Sequence, residues 1–252
     1  MDDNGIITHG DLVRRFAQFD RRALAKFITM LDDGTAAQPI LDALPRRDPS
    51  ALKVGITGSA GVGKSTLCAA LVQHLRQAGQ RVGVLACDPQ SPFTGGAVLG
   101  DRVRIDHDAD DDNVFVRSIA ARGAAGGVSQ HAGPIVELMH RFNFDTILVE
   151  TVGSGQDQLA IAGLVDLVVL VLNPGGGDHI QWQKAGILEA AHLIAVNKAD
   201  MPGADATVAE LRSVLEGTAD MGLRSPQVAR VSAATGQGVE ALWTAISSAN
   251  PA

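Results

Sequence analysis

From Leu52 onward, short apolar runs alternate with longer stretches of helical period. Leu52–Thr57, Arg81–Cys87, Val114–Arg117, Asp145–Glu150, Asp166–Leu172, His192–Asn197 and Gln227–Val231 are dominated by Val, Ile, Leu and Ala. Runs of that length and composition predict strands buried on both faces. Between them, Leu67–Ala78, Gln130–Phe142, Asp178–Ala190, Ala204–Leu215 and Val239–Ser248 carry helical patterns. In the first of these, Leu67, Ala70, Leu71 and Leu75 share one face. Pro134 falls in the first turn of the second, where proline is tolerated. Strands that alternate with helices predict an α/β fold: a mostly parallel sheet covered by helices on both faces.

The first fifty positions follow a different rule. Leu12, Val13, Phe16 and Phe19 recur at helical spacing within Asp11–Phe19, as do Leu24, Phe27, Ile28 and Leu31 within Arg21–Leu31. Gly34 ends that pattern where a left-handed cap is common. Pro39–Leu44 fits a further short helix, and Pro45–Pro49 a loop into the first strand. Residues 1–50 therefore read as an N-terminal helical extension and 51–252 as the α/β domain.

Composition narrows the function. A hydrophobic content of 46% supports a packed core. A net charge of −7 argues against a nucleic-acid partner, because phosphate contacts need clustered Lys and Arg. Cys68 and Cys87 form neither a C-x-x-C pair nor a zinc spacing, which fits a reduced, cytoplasmic protein. The acidic start Met1-Asp2-Asp3-Asn4 lacks a leader pattern. The most apolar run, Ile161–Leu172, is broken by Asp166 and is shorter than the ~20 residues of a membrane helix. The aspartate-rich run Asp106–Asp112 reads as a solvated loop, with a metal cluster as the weaker alternative.

One stretch carries specific chemistry. Gly58-Ser59-Ala60-Gly61-Val62-Gly63-Lys64-Ser65-Thr66 fits G-x-x-x-x-G-K-[ST], between a predicted strand and a predicted helix. Glycines there let successive backbone N–H groups turn toward phosphate oxygens, and the helix N-terminus adds partial positive charge. Lys64 would reach the outer phosphates and Ser65 a Mg²⁺ ion.

Further stretches follow strands in a consistent order. Asn197-Lys198-Ala199-Asp200 fits N-K-x-D. An aspartate there can accept from guanine N1–H and N2–H₂, a donor pair that adenine lacks, so Asp200 selects GTP over ATP. Asn197 would brace the loop, and the Lys198 stem would lie on the base. Ser232-Ala233-Ala234 would support guanine O6 through its backbone. Glu150-Thr151-Val152-Gly153 ends a strand, where ligands sit in open α/β sheets. Glu150 is a candidate Mg²⁺ ligand, directly or through water, and the Gly153 N–H a candidate contact to the γ-phosphate. Ser154 is too short to orient an attacking water as a glutamine does, which predicts slow unaided hydrolysis. Asp88, at a strand end beside the phosphate loop, and Asp101, in the following glycine-bounded loop, are further Mg²⁺ or water-orienting candidates. Arg104 in that loop is a candidate cation for the phosphates.

These stretches resemble one family. Asp88 to Arg102 is similar to the first switch of the MeaB/ArgK-type GTPases, and Glu150 to Gln156 to their second. Pro174 to Gln181 with Lys184 to Ile187 resembles the segment called switch III, and Arg22 to Thr29 the leading helix. The resemblance implies a SIMIBI-class P-loop GTPase. It also implies GTP/GDP and Mg²⁺ as cofactors, and a chaperone that gates cobalamin loading and release on an adenosylcobalamin-dependent acyl-CoA mutase. The human methylmalonic aciduria type A protein belongs to the same family. Lys184, in switch III, joins Arg104 as a candidate to approach the phosphates when a mutase docks. Ala60, Gln90 and Ser154 depart from the usual proline, serine and valine. The chain ends soon after Val239–Ser248, where relatives carry a C-terminal dimerisation arm. The expectation is a fold without that long arm, with a homodimer left open. Rival readings are a nickel-inserting GTPase of the same class, an ATP-driven kinase or transport component, and a nucleotide-dependent interaction module without turnover.

Overall fold

The computed structural model describes residues 9–46, 51–89, 111–121, 128–153, 158–175, 190–219 and 225–249. Its strands are β1 (Leu52–Thr57), β2 (Val82–Asp88), β3 (Val114–Ala120), β4 (Thr146–Glu150), β5 (Leu167–Leu172), β6 (Leu193–Val196) and β7 (Gln227–Arg230). They form one seven-stranded sheet in the order β3-β2-β4-β1-β5-β6-β7, and every described pairing is parallel. The helices are α1 (His9–Ala17), α2 (Arg21–Asp32), α3 (Ala37–Ala43), α4 (Lys64–Gln77), α5 (Ala132–His140), α6 (Ala204–Ala219) and α7 (Val239–Ser248). The expected parallel sheet with helices on both faces is what forms.

Alternation along β5 shows how the faces divide. Leu167, Val169 and Val171 pack with Leu67, Leu71 and Leu75 of α4 and with Leu242 and Ile246 of α7. Leu170 and Leu172 face the other way and pack with Val208, Leu211 and Leu215 of α6. Val168, on that second face, joins a cluster containing Ile135 and Met139 of α5 and Phe16, Leu24, Phe27 and Ile28 of α1 and α2. The N-terminal helices therefore share a core with the sheet. Phe16 meets Phe27 edge-on at 5.9 Å and Phe142 at 5.2 Å. Truncating a buried phenylalanine such as Phe27 to alanine costs about 3–5 kcal/mol in cores of this kind. Buried Arg141 donates from Nη1 to the carbonyls of Leu41 and Leu44, at the end of α3, and from Nε to Glu137 at 2.7 Å.

Element ends differ from the sequence expectation for local reasons. α1 stops at Ala17 because Phe19 takes φ 63°, a left-handed turn that the apolar spacing does not report. Gly34 closes α2 as expected, at φ 90°, with its N–H on the Leu31 carbonyl. α4 starts at Lys64, three residues before its first apolar position, because the phosphate loop itself supplies the first turn. β3 continues to Ala120 by pairing with β2 as far as Asp88. Gln158–Gly163 is a 3₁₀ segment that the apolar run before β5 had concealed. The expected helix Asp178–Ala190 lies outside the described residues except for its final residue.

Because all strands run the same way, their carboxyl ends share one edge of the sheet. That edge carries the loops after β1, β2, β4, β5, β6 and β7.

Candidate functional site

The phosphate loop leaves β1 at Thr57. Gly58 is packed so closely that a Cβ would lie 2.4 Å from the Val171 carbonyl oxygen. Gly63 takes φ 93°, and a Cβ there would meet Asn197 Nδ2 at 2.4 Å. Glycine is required at both positions by space as well as by backbone angle. Lys64 is 7% exposed, and its ammonium donates to the Gly58 and Ser59 carbonyls at 3.0 Å each. Burying a cation without such partners costs several kcal/mol. The ammonium is thus held over its own loop, where phosphate oxygens can replace the carbonyls.

Glu150 ends β4, and its register partners are Ile56 on β1 and Ala86 on β2. Ser65 Oγ donates to Glu150 Oε1 at 2.6 Å. β2 runs two residues past its pair with Glu150, ending at buried Asp88. The hydroxyl and the two carboxylates are hard oxygen donors on neighbouring elements, a donor set suited to Mg²⁺. Burial pushes the Cys68 thiol well up, and the charge of Glu150 adds to the effect. Burial likewise pushes Cys87 up to about 12. Burial thus favours the protonated form of both thiols.

Gly153 lies against the phosphate loop. A Cβ there would come within 2.4 Å of Ala60 N and 2.9 Å of the Ser59 carbonyl carbon. The root of the expected second switch therefore touches the loop that would hold the phosphates. Thr57 Oγ1 and Thr151 Oγ1 lie 3.0 Å apart, and both side chains are buried. Sequence reasoning missed this pair. A signal was present: each threonine is the single hydroxyl residue between a buried strand and a functional loop.

The loop after β6 is tied to the phosphate loop from the other side. Asn197, 2% exposed, donates from Nδ2 to the Val62 carbonyl at 2.9 Å. Its Oδ1 accepts from the Ala233 N–H at 3.0 Å. Asn197 thus bonds to both neighbouring loops, and the Ala233 N–H is engaged by it. Lys198 takes φ 55°, and its ammonium reaches the Gly61 carbonyl at 2.8 Å, so its stem spans the gap between the two loops. Asp200 is exposed, with Oδ1 accepting from Ser232 Oγ at 2.6 Å. That hydrogen bond holds its carboxyl below the ordinary 3.8. The backbone N–H of Asp200 also bonds to this carboxylate. Ala233 follows Ser232 directly, so the two expected base-binding stretches converge.

The structure brings together Gly58 to Thr66, Asp88, Glu150, Gly153, Asn197, Lys198, Asp200 and Ser232 to Ala234 on one edge of the sheet. Asp101, Arg104, Ser154 and Lys184 lie outside the described residues. At the root of the expected third switch, Gly175 N–H donates to Thr207 Oγ1 of α6 at 3.2 Å. Among the described residues, no group of three or more His, Cys, Asp or Glu could hold a metal ion. No helix among them is long and apolar enough to cross a membrane.

A phosphate loop on β1, an acidic strand end beside it and an N-K-x-D loop after β6 define a P-loop protein of the GTPase class. Comparison with known proteins agrees. A family model described as methylmalonyl Co-A mutase-associated GTPase MeaB matches residues 24–251. A putative GTPase of Pyrococcus horikoshii is 44% identical over 241 residues, covering 94% of this chain and 76% of that protein. The mouse mitochondrial methylmalonic aciduria type A homolog is 38% identical over 202 residues, covering 77% of this chain and 48% of that one. A crystal structure titled LAO/AO transport system kinase superposes with a TM-score of 0.70 at 28% identity, covering 95% of this chain and 74% of that one. The chain belongs to the MeaB family of GTPases.

Proposed function

We propose that this protein binds and hydrolyses GTP to gate cobalamin loading and release on an adenosylcobalamin-dependent acyl-CoA mutase, of the methylmalonyl-CoA mutase type or a related two-subunit enzyme. The observation that supports the nucleotide part is the union of two loops: Asn197 bonds to Val62 of the phosphate loop and to Ala233. The mutase part is supported by the family description, which names association with methylmalonyl-CoA mutase.

In this reading residues 51–252 hold the nucleotide and residues 1–50 extend the core beside it. Asp200 accepts from guanine N1–H and N2–H₂ while Ser232 keeps the carboxylate ionised and oriented. The stem of Lys198 lies along the base. Backbone N–H groups from Ser59 to Thr66 turn to the phosphates, and Lys64 leaves the Gly58 and Ser59 carbonyls for the outer phosphate oxygens. Ser65, Glu150, Asp88 and Asp101 would hold Mg²⁺, which when bound neutralises charge on the β- and γ-phosphates. The Gly153 N–H reports the γ-phosphate. In hydrolysis the bond from a water oxygen to the γ-phosphorus forms as the bond to the β–γ bridging oxygen breaks. The products are GDP and inorganic phosphate.

Slow unaided turnover is expected because Ser154 cannot place the water. A docking mutase would reorder the segment after Gly175 and bring Lys184 or Arg104 toward the phosphates, stabilising transition-state charge as an arginine finger does. Partner, rate and stimulation are tested together by multiple-turnover hydrolysis with and without the cobalamin-binding subunit of the mutase recovered from the same cells. The expected result is stimulation that Lys184→Ala or Arg104→Ala loses. Fast hydrolysis by the protein alone would contradict the rate argument. Stimulation that survives both substitutions would contradict the mechanism.

A further inference from the structure

Thr57 is the last residue of β1 and stands directly before the phosphate loop. Thr151 follows Glu150 at the end of β4 and stands two residues before Gly153. The backbone link between these strand ends reaches as far as Thr151 N–H, which donates to the Ile56 carbonyl at 3.1 Å. Beyond that point β1 turns away into the loop at Gly58. The hydroxyl pair, 3.0 Å apart, then joins the two chains where the backbone ladder ends.

Both side chains are inaccessible, Thr57 at 0% and Thr151 at 1%. Valine has nearly the same shape and would avoid burying two hydroxyls. What a hydroxyl pair adds is a defined distance and direction, which methyl groups do not set. The groups on either side are those that would meet the phosphates. Gly58 and Ser59, immediately after Thr57, hold the Lys64 ammonium. Glu150, immediately before Thr151, accepts from Ser65. Gly153, just after it, sits on Ala60.

We propose that Thr57 and Thr151 are positioning residues whose buried hydroxyl bond sets Glu150 and Gly153 at a fixed distance from the phosphate loop. The γ-phosphate, which GTP carries and GDP lacks, then meets Gly153 in a set position. This inference rests on the GTP reading of the same site.

The test uses the full chain with Thr57→Val, Thr151→Val, the double variant and Thr151→Ser. Calorimetry gives affinities for GDP and for a non-hydrolysable GTP analogue at fixed Mg²⁺, beside turnover and the thermal midpoint. A lost hydrogen bond of ordinary strength predicts about a tenfold loss in analogue affinity and in turnover for each valine variant. GDP affinity should stay within about threefold. The double variant should be no worse than either single one, because the same bond is already gone. Thr151→Ser keeps the hydroxyl and should recover turnover to within about twofold. A purely structural role would lower the thermal midpoint and weaken GDP and analogue alike. Should Thr151→Val fail to fold, Thr57→Val removes the same bond from the other strand and gives the same readout. Valine variants with wild-type analogue affinity, or losses that multiply in the double variant, would overturn the proposal. Failure of the wild type to bind either nucleotide would instead overturn the GTP reading, and this inference with it.

Discussion

The phosphate loop and the loop after β6 each present a lysine, and they hold it in opposite ways. Lys64 is buried and donates to two carbonyls of its own loop. Lys198 is half-buried, sits at φ 55°, and donates to the Gly61 carbonyl of the other loop. The first lysine must let go of its partners to serve a ligand. The second spans the gap and can keep its hold while a ligand enters. The same division runs through the N-K-x-D stretch. Asn197 is sealed inside with both ends of its amide bonded, whereas Asp200 faces outward with one oxygen held by Ser232. In these two loops, Asn197 shapes the site and is buried and satisfied. Lys64 and Asp200, which would meet a ligand, are held by bonds a ligand can replace or face outward.

The sharpest way to break that comparison is Lys64→Ala. Two charge-assisted bonds of roughly 1.5–3 kcal/mol each would be lost to the phosphates. GTP and GDP binding should fall beyond the range of calorimetry, by a factor of about 100 or more. A variant that still binds either nucleotide within about tenfold of wild type would remove Lys64 from the site.

Next in size is Asp200→Asn. Its carboxylate is the proposed guanine acceptor, so GTP affinity should drop about 100-fold. Xanthosine triphosphate should gain, because the amide can donate to the C2 carbonyl of xanthine. Competition between the two triphosphates measures the switch. Equal binding of ATP and GTP by the wild type would end this reading of Asp200.

Asn197→Ala sharpens the contrast from the buried side. It strands the Val62 carbonyl and the Ala233 N–H, so unfolding free energy should fall by about 1–3 kcal/mol. Denaturant titration should show a lower midpoint at unchanged slope. Lys198→Ala, with an exposed ammonium, should cost less than about 1 kcal/mol in the same titration. If the two substitutions cost the same, the division between shaping and recognising groups fails.

The smallest effect concerns pH. Ser232 lowers the carboxyl of Asp200 below 3.8, so the charged form proposed to accept guanine persists on acidification. A group depressed in the folded state makes its contribution above its ordinary value and loses it as pH falls through the depressed one. The preference for GDP over ADP should therefore hold flat from neutrality to about pH 5. It should fall only below the ordinary value, and Ser232→Ala should raise the pH at which it falls. A preference already lost near pH 5 would show that another group carries it.

Much of the site is legible in the chain because its parts are local. The phosphate loop reads from glycine spacing, since Gly58 and Gly63 stand where neighbouring atoms leave no room for a Cβ. The N-K-x-D stretch reads because one aspartate can match one base edge. Helix starts read less well. α4 begins in the loop itself, at a residue whose side chain serves the site and not the apolar stripe. Phe19 misleads for a related reason: an apolar residue at helical spacing terminates α1 in a left-handed turn.

The sequence by itself determined which segments become strands, because burial on both faces demands continuous apolar runs. It also determined where the glycine-rich loop and its helix sit, because a tight turn and a helix start are specified by adjacent residues. It did not determine strand order, since buried strands of the same composition are interchangeable in pattern. Only the tertiary structure placed β1 between β4 and β5 and set their registers. That placement joins Ser65 to Glu150 across 85 positions, Thr57 to Thr151 across 94, and Asn197 to Val62 across 135. No periodicity encodes such pairs. They form because parallel packing brings every carboxyl end to one edge, where a buried polar group must find its partner among whichever residues the neighbouring strand supplies.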